Sequence, residues 1–196
     1  MNVQIHPRST RAAEGLSRRR FTVAEIEAFV AAGVIDHHER VELIGGELVP
    51  MSPKGLAHEV VKQALSERWY RQRDTTGNLA VATTFRLSED TYLEPDIVIF
   101  PRALGFKGLS GPNVLLVVEI ADTSLRYDRG RKAKLFASFG VRELWSLDAV
   151  KLTARVFRTP SKGGYAEIAD FTRKERLVPA FAPEAFSLRL DELDLR

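Results

Sequence analysis

Apolar residues along this chain switch between helical and extended spacing, with clear punctuation between the runs. Thr22 and Glu25 stand three apart ahead of an apolar stretch, the spacing of a capping box, and Phe21 is placed to pack on the following turn. This predicts a short helix from about Val23 to Ala32, stopped by Gly33. Val41-Glu42-Leu43-Ile44 and Glu47-Leu48-Val49 flank Gly45-Gly46, the signature of a tight hairpin. Pro53 and Gly55 then break the chain. Beyond them Val60, Val61, Ala64, Leu65 and Trp69 recur at helical spacing, predicting a helix from about Leu56 to Arg73.

The middle of the chain reads as extended. Leu79 to Leu87 alternates, and Pro95 to Phe100 is a short apolar strand opening on Pro-Asp. Val114 to Ile120 is nearly continuous in apolar residues, as in a strand buried on both faces. A helix from about Asp128 to Phe139, ended by Gly140, separates it from a strand at Glu143 to Leu147. Strand, helix, strand is a βαβ pattern with an expected right-handed crossover. Lys151 to Arg158 and Tyr165 to Ile168 read as a hairpin around Pro160 and Gly163-Gly164, and Phe186 to Leu190 alternates once more. The expected fold class is α/β, a central mixed sheet flanked by helices with extra β-hairpins. Residues 21–196 read as a single domain behind a basic, flexible arm of residues 1–20.

Composition narrows the classes of function. The chain has 196 residues, 44% hydrophobic and 28% charged, enough for one sizeable core. Cysteine is absent, which excludes disulfides, thiolate metal sites and a cysteine nucleophile. No apolar run approaches the roughly 20 residues of a membrane span, since Val114 to Ala121 is interrupted by Glu119. With no apolar leader-like stretch at the N-terminus, the expected location is the cytoplasm. Net charge is only +3, but the arm carries Arg8, Arg11, Arg18, Arg19 and Arg20 against Glu14. The arm is either a solvated tail or a segment that contacts phosphates.

Two acids stand out because they are lodged in apolar strands. Asp96 sits at the mouth of Ile97-Val98-Ile99-Phe100, and Glu119 closes Val114-Leu115-Leu116-Val117-Val118. A carboxylate buried there needs a partner or a cation. Alternation puts Asp96 on one face with Val98, and Glu119 on one face with Val117 and Ala121. If the strands are neighbours, the acids converge into a hard-oxygen site suited to Mg²⁺ or Mn²⁺. Each residue also has an ordinary reading: a solvated or salt-bridged strand end for either acid, a solvated helix face for Lys132 and Lys134. Glu42 is equally the polar member of an alternating strand, and His58 a capped or surface histidine.

Taken in order, these residues form a pattern. Val41-Glu42-Leu43-Ile44-Gly45-Gly46-Glu47-Leu48, Met51-Ser52-Pro53 and His58 lead into Pro95-Asp96-Ile97-Val98 and Val117-Val118-Glu119-Ile120. Asp128 and Lys132 follow, then Phe136-Ala137, Gly140-Val141, Glu143-Leu144-Trp145 and Asp148. The set resembles the Uma-two family of restriction-endonuclease-like proteins, over about residues 20 to 190. The resemblance implies the PD-(D/E)XK nuclease fold and a Mg²⁺-dependent endonuclease acting on duplex DNA. It implies Asp96, Glu119 and the Ile120 carbonyl as metal ligands. The superfamily's usual lysine position, two residues past the second acid, is Ala121 here; Lys132 on the next helix matches the Uma-two lysine, with Lys134 the weaker candidate. Glu42 matches an early acid that holds a second metal or its water, and His58 matches a helix histidine of undefined role. Arg126, Arg129 and Arg131 are candidates for DNA phosphate contacts, or else a solvated face. A homodimer or higher homo-oligomer, with the hairpins of Lys151 to Ile168 at its interface, is expected for cutting both strands. The alternatives are a catalytically silent scaffold on the same fold, or a small-substrate hydrolase using the same carboxylates in an enclosed pocket.

Overall fold

A computed structural model describes residues 18–36, 38–72 and 75–195. Most of the predicted N-terminal arm lies outside the described residues. Helix α1 (Val23–Ala31) begins as the capping box requires: Glu25 N–H donates to Thr22 Oγ1 at 3.2 Å, and Thr22 N–H to the Glu25 carboxylate at 2.9 Å. Phe21 packs edge-on against Phe29 at its base. Strands β1 (Val41–Ile44) and β2 (Glu47–Pro50) form the expected hairpin. Gly45 and Gly46 both adopt positive φ, 57° and 81°, which a side chain would resist. Helix α2 (Leu56–Gln72) follows, then β3 (Gly77–Val81), β4 (Phe85–Ser88), β5 (Thr91–Leu93), β6 (Ile97–Pro101) and β7 (Leu116–Ala121).

The crossover after β7 is the least regular helix of the fold. It has a single turn, α3 (Leu125–Tyr127), a π-helical turn (Asp128–Lys132) and α4 (Ala133–Ser138). The single helix expected from about Asp128 to Phe139 is thus three segments, a distinction that apolar periodicity does not carry. Strands β8 (Glu143–Asp148), β9 (Thr153–Ser161) and β10 (Gly164–Phe171) complete the order.

The strands divide into two sheets. The smaller, antiparallel throughout, runs β2-β1-β5-β4; the larger runs β10-β9-β8-β7-β6-β3. In the larger sheet only β7 and β8 are parallel, and they are the pair joined by the helical crossover. The fold is therefore the mixed α/β class expected. Two local expectations need correction. Leu79 to Leu87 is not one strand: Ala82, at φ 46°, turns the chain so that β3 joins the large sheet and β4 the small one. Phe186 to Leu190 forms no strand. Phe186, Leu188 and Leu190 are spent on the core instead, and only Leu188 pairs, with Leu177, in an isolated bridge.

The large sheet is covered on both faces. One presents Val118, Ile120, Trp145 and Val156 to Val61, Leu65 and Trp69 of α2 and to the C-terminal segment. The other presents Val98, Val117, Leu144 and Phe157 to Phe136 and Ala137 of α4 and to Phe85 and Leu93 of the small sheet. Every residue of β7 is buried, which explains its nearly unbroken apolar sequence. Among the described residues no helix is long and apolar enough to cross a membrane.

Candidate active site

Strands β6 and β7 are antiparallel neighbours, with Val98 opposite Val117 and Ile97 opposite Val118. One step further, that register sets Asp96 across from Glu119, so the two carboxylates share a face as alternation predicts. Asp96 stands just before β6, and its side chain completes the ladder there: Ile120 N–H donates to Asp96 Oδ2 at 2.8 Å. Asp96 Oδ1 meets His58 Nε2 at 2.9 Å and accepts from Lys54 Nζ at 3.1 Å. His58 is buried in the first turn of α2, its other ring nitrogen 3.1 Å from Glu59 Oε1. Burial alone would raise the Asp96 pKa, but the His58 hydrogen bond and the Lys54 ammonium prevail and hold it at about 2.

Glu119 has a different environment. Its Oε1 lies 2.9 Å from Lys132 Nζ, and the same ammonium is 2.9 Å from Glu42 Oε1. Glu42 comes from β1 of the small sheet and also accepts the Glu94 N–H at 3.1 Å. Lys132 closes the π-helical turn and is only 4% exposed, so it enters the site from the crossover. Burial, with Asp96, Asp128 and Glu42 nearby, pushes Glu119 up to about 8 against the pull of Lys132. Burial would lower Lys132, yet the facing glutamates raise it above the ordinary lysine value. Asp128, also buried, accepts from Ser124 Oγ at 2.5 Å, and desolvation raises its pKa.

Most of these groups, though not Asp96, which lies behind His58 and Lys54, line a cleft of about 330 Å³. Glu42, Lys54, His58, Glu119, Asp128 and Lys132, with Ser52 and the 122–124 loop, form its polar part, while Val49, Pro50, Met51 and Pro53 form an apolar wall, with Tyr127 also lining it. The loops on either side touch where the Asp122 carboxylate packs against Gly55, leaving no room there for a Cβ. Five expected site residues are thus brought together: Glu42, His58, Asp96, Glu119 and Lys132. Lys134 is not among them; it is exposed and lies against Gly164 of β10. Arg126 and Arg131 are exposed and Arg129 turns toward Ser146 of β8, 3.4 Å from its Oγ, so none lines the cleft. Sequence reasoning passed over Lys54, whose only signal was its spacing of four from His58, and gave no role to Asp128 or Tyr127.

Among the described residues no three His, Asp or Glu side chains converge as a preformed metal cage. The donor set nonetheless suits a hard divalent cation. Carboxylate oxygens dominate, and the buried acids Glu42, Asp96, Glu119 and Asp128 outnumber the ammoniums of Lys54 and Lys132.

Compared with models of known families, residues 26–191 match the one described as "Uma2: Putative restriction endonuclease". No curated protein matches. Among solved structures, the chain is similar to the crystal structure of "a putative nuclease belonging to DUF820" from Anabaena variabilis, with a TM-score of 0.61 at 16% identity. That likeness covers 88% of this chain and 96% of the other, and at such identity it speaks for the fold.

Proposed function

The chain belongs to the Uma2 family of restriction-endonuclease-like proteins, and from that premise we propose that the cleft is the active site of a divalent-metal-dependent endonuclease that hydrolyses DNA phosphodiester bonds. The observation that carries this reading is the meeting of Asp96, Glu119 and Lys132, from three different elements, at one end of β6 and β7. Asp96, Glu119 and the Ile120 carbonyl would hold Mg²⁺ or Mn²⁺. When bound, such a cation supplies an acidified water and polarises the phosphoryl group. The remaining work falls to the chain. His58 and Lys54 fix the Asp96 carboxylate in one orientation, and Glu42 holds Lys132 at the floor of the cleft. Lys132 is a compact point charge placed to orient a nucleophile and to neutralise charge gathering on phosphate. Ala121, at the superfamily's usual lysine position, lies on the same face as Glu119. An ammonium arriving from the crossover therefore serves the same spot.

One observation favours a silent scaffold: Lys132 already pairs with both Glu42 and Glu119 and ties the two sheets together. Cleavage of supercoiled plasmid with Mg²⁺ or Mn²⁺, beside Glu119→Ala and Lys132→Ala, separates the readings. Metal-dependent nicking by the wild type that both variants lose is expected. A wild type that stays inert on several DNA substrates would leave the scaffold.

A further inference from the structure

We infer that the preferred substrate of this site is an unpaired strand, read in part by a base lying on the apolar wall beside Tyr127. The inference rests on the nuclease reading and narrows it. Three observations carry it. The first is size and enclosure. The cleft, about 330 Å³, sits at the small end of the roughly 300–1,000 Å³ range of ligand pockets, and its flanking loops meet at Gly55 and Asp122. A single nucleotide unit fits such a space, whereas a duplex would have to lay its backbone along an open groove.

The second is charge. A duplex carries one phosphate per 1.7 Å of axis and is gripped by free cations along that line. Here Lys132 is committed to Glu42 and Glu119, Lys54 to Asp96, and Arg126, Arg129 and Arg131 are not among the residues that line the cleft. Among the described residues no other lysine or arginine lines the cleft to track a second strand.

The third is the wall itself. Val49, Pro50, Met51, Pro53 and the half-buried Tyr127 present apolar and aromatic surface beside the carboxylates. Paired bases keep their faces covered by neighbours in the stack. An unpaired base has a free face, and stacking on a tyrosine is indifferent to which base it is.

The test uses the full chain with Mn²⁺ and one fluorescein-labelled DNA sequence in three forms: a single strand, a blunt duplex, and a duplex carrying a single-stranded flap. Cleavage of the single strand and of the flap at least about tenfold faster than the blunt duplex is expected, the fold-change of one lost base stack. Tyr127→Ala should raise KM for the single strand by a similar factor with kcat little changed, while Tyr127→Phe restores the wild-type KM; thermal melting checks that both variants fold. A blunt duplex cut as fast as the single strand overturns the inference and leaves the nuclease reading standing. A preference for single strands that Tyr127→Ala leaves untouched overturns the role of the wall. Cleavage of none of the three overturns the nuclease reading, and the inference with it.

Discussion

Glu143 and Glu119 lie on the parallel strands β8 and β7, both buried, and their surroundings differ in kind. Glu143 Oε1 accepts from Trp145 Nε1 at 2.9 Å and from Arg158 Nε and Nη2 at 2.9 and 2.7 Å, and Oε2 accepts the Ala180 N–H at 2.7 Å. Arg158 also donates to the Val178 carbonyl, so the carboxylate fastens the C-terminal segment to the sheet. Every bonding direction has an owner and one charge meets one charge. Glu119 shares its single ammonium with Glu42 and stands among further acids. A buried carboxylate whose needs are met inside the chain builds structure; one left among surplus negative charge is a candidate for function, the role proposed above for Glu119.

Substitutions can break that contrast or sharpen it. The largest effect is expected at Glu143→Ala, which strands Arg158, the Trp145 indole and the Ala180 N–H. Chemical denaturation should show a loss of about 3–5 kcal/mol, as for other broken buried pairs. Glu119→Ala should behave oppositely, folding normally yet losing cleavage by more than the roughly 100-fold that an outer partner of a metal site is worth. If Glu119→Ala instead unfolds the chain, the contrast between the two glutamates collapses. His58→Ala comes next: Asp96 loses a buried hydrogen bond, and metal affinity read by calorimetry should fall about 10- to 100-fold. Saturating Mn²⁺, at about 100 times its dissociation constant, should raise stability by about 2.7 kcal/mol in the wild type and not in Glu119→Ala. Lys134→Ala marks the bottom of the scale, with stability within about 0.5 kcal/mol of the wild type and cleavage unchanged, because that side chain lies away from the cleft.

Local signals were legible where one residue type had one physical reason to be there. Thr22 and Glu25 announce the start of α1, Gly45-Gly46 the hairpin, and the apolar run around Val117 the buried strand. The acid pair was legible for the same reason: alternation fixes the face of Asp96 and of Glu119, so adjacency of β6 and β7 was the only missing fact. Ala82 gave no warning, since alanine at positive φ leaves no mark in composition. The π-helical turn was hidden because its extra residue barely disturbs an apolar spacing already interrupted by Arg129, Gly130 and Arg131. Glu42 was ambiguous because its meaning depends on how the two sheets dock, and Lys54 was silent because its meaning depends on how the loop before α2 meets Asp96, contacts no neighbouring residue encodes. The place of Lys132 came from family resemblance, and the crossover explains it physically.

Lys132 joins a strand of one sheet to a strand of the other, and this has a consequence for the order in which the site comes into being. As the chain leaves the ribosome, Glu42, His58 and Asp96 emerge first, Glu119 later and Lys132 last. Until the crossover after β7 has formed and both sheets have closed on it, the acids have neither their ammonium nor their opposite wall. The cleft is thus complete only once the last of its elements is in place. A nascent or locally opened chain lacks the assembled cleft, and only the finished molecule carries it.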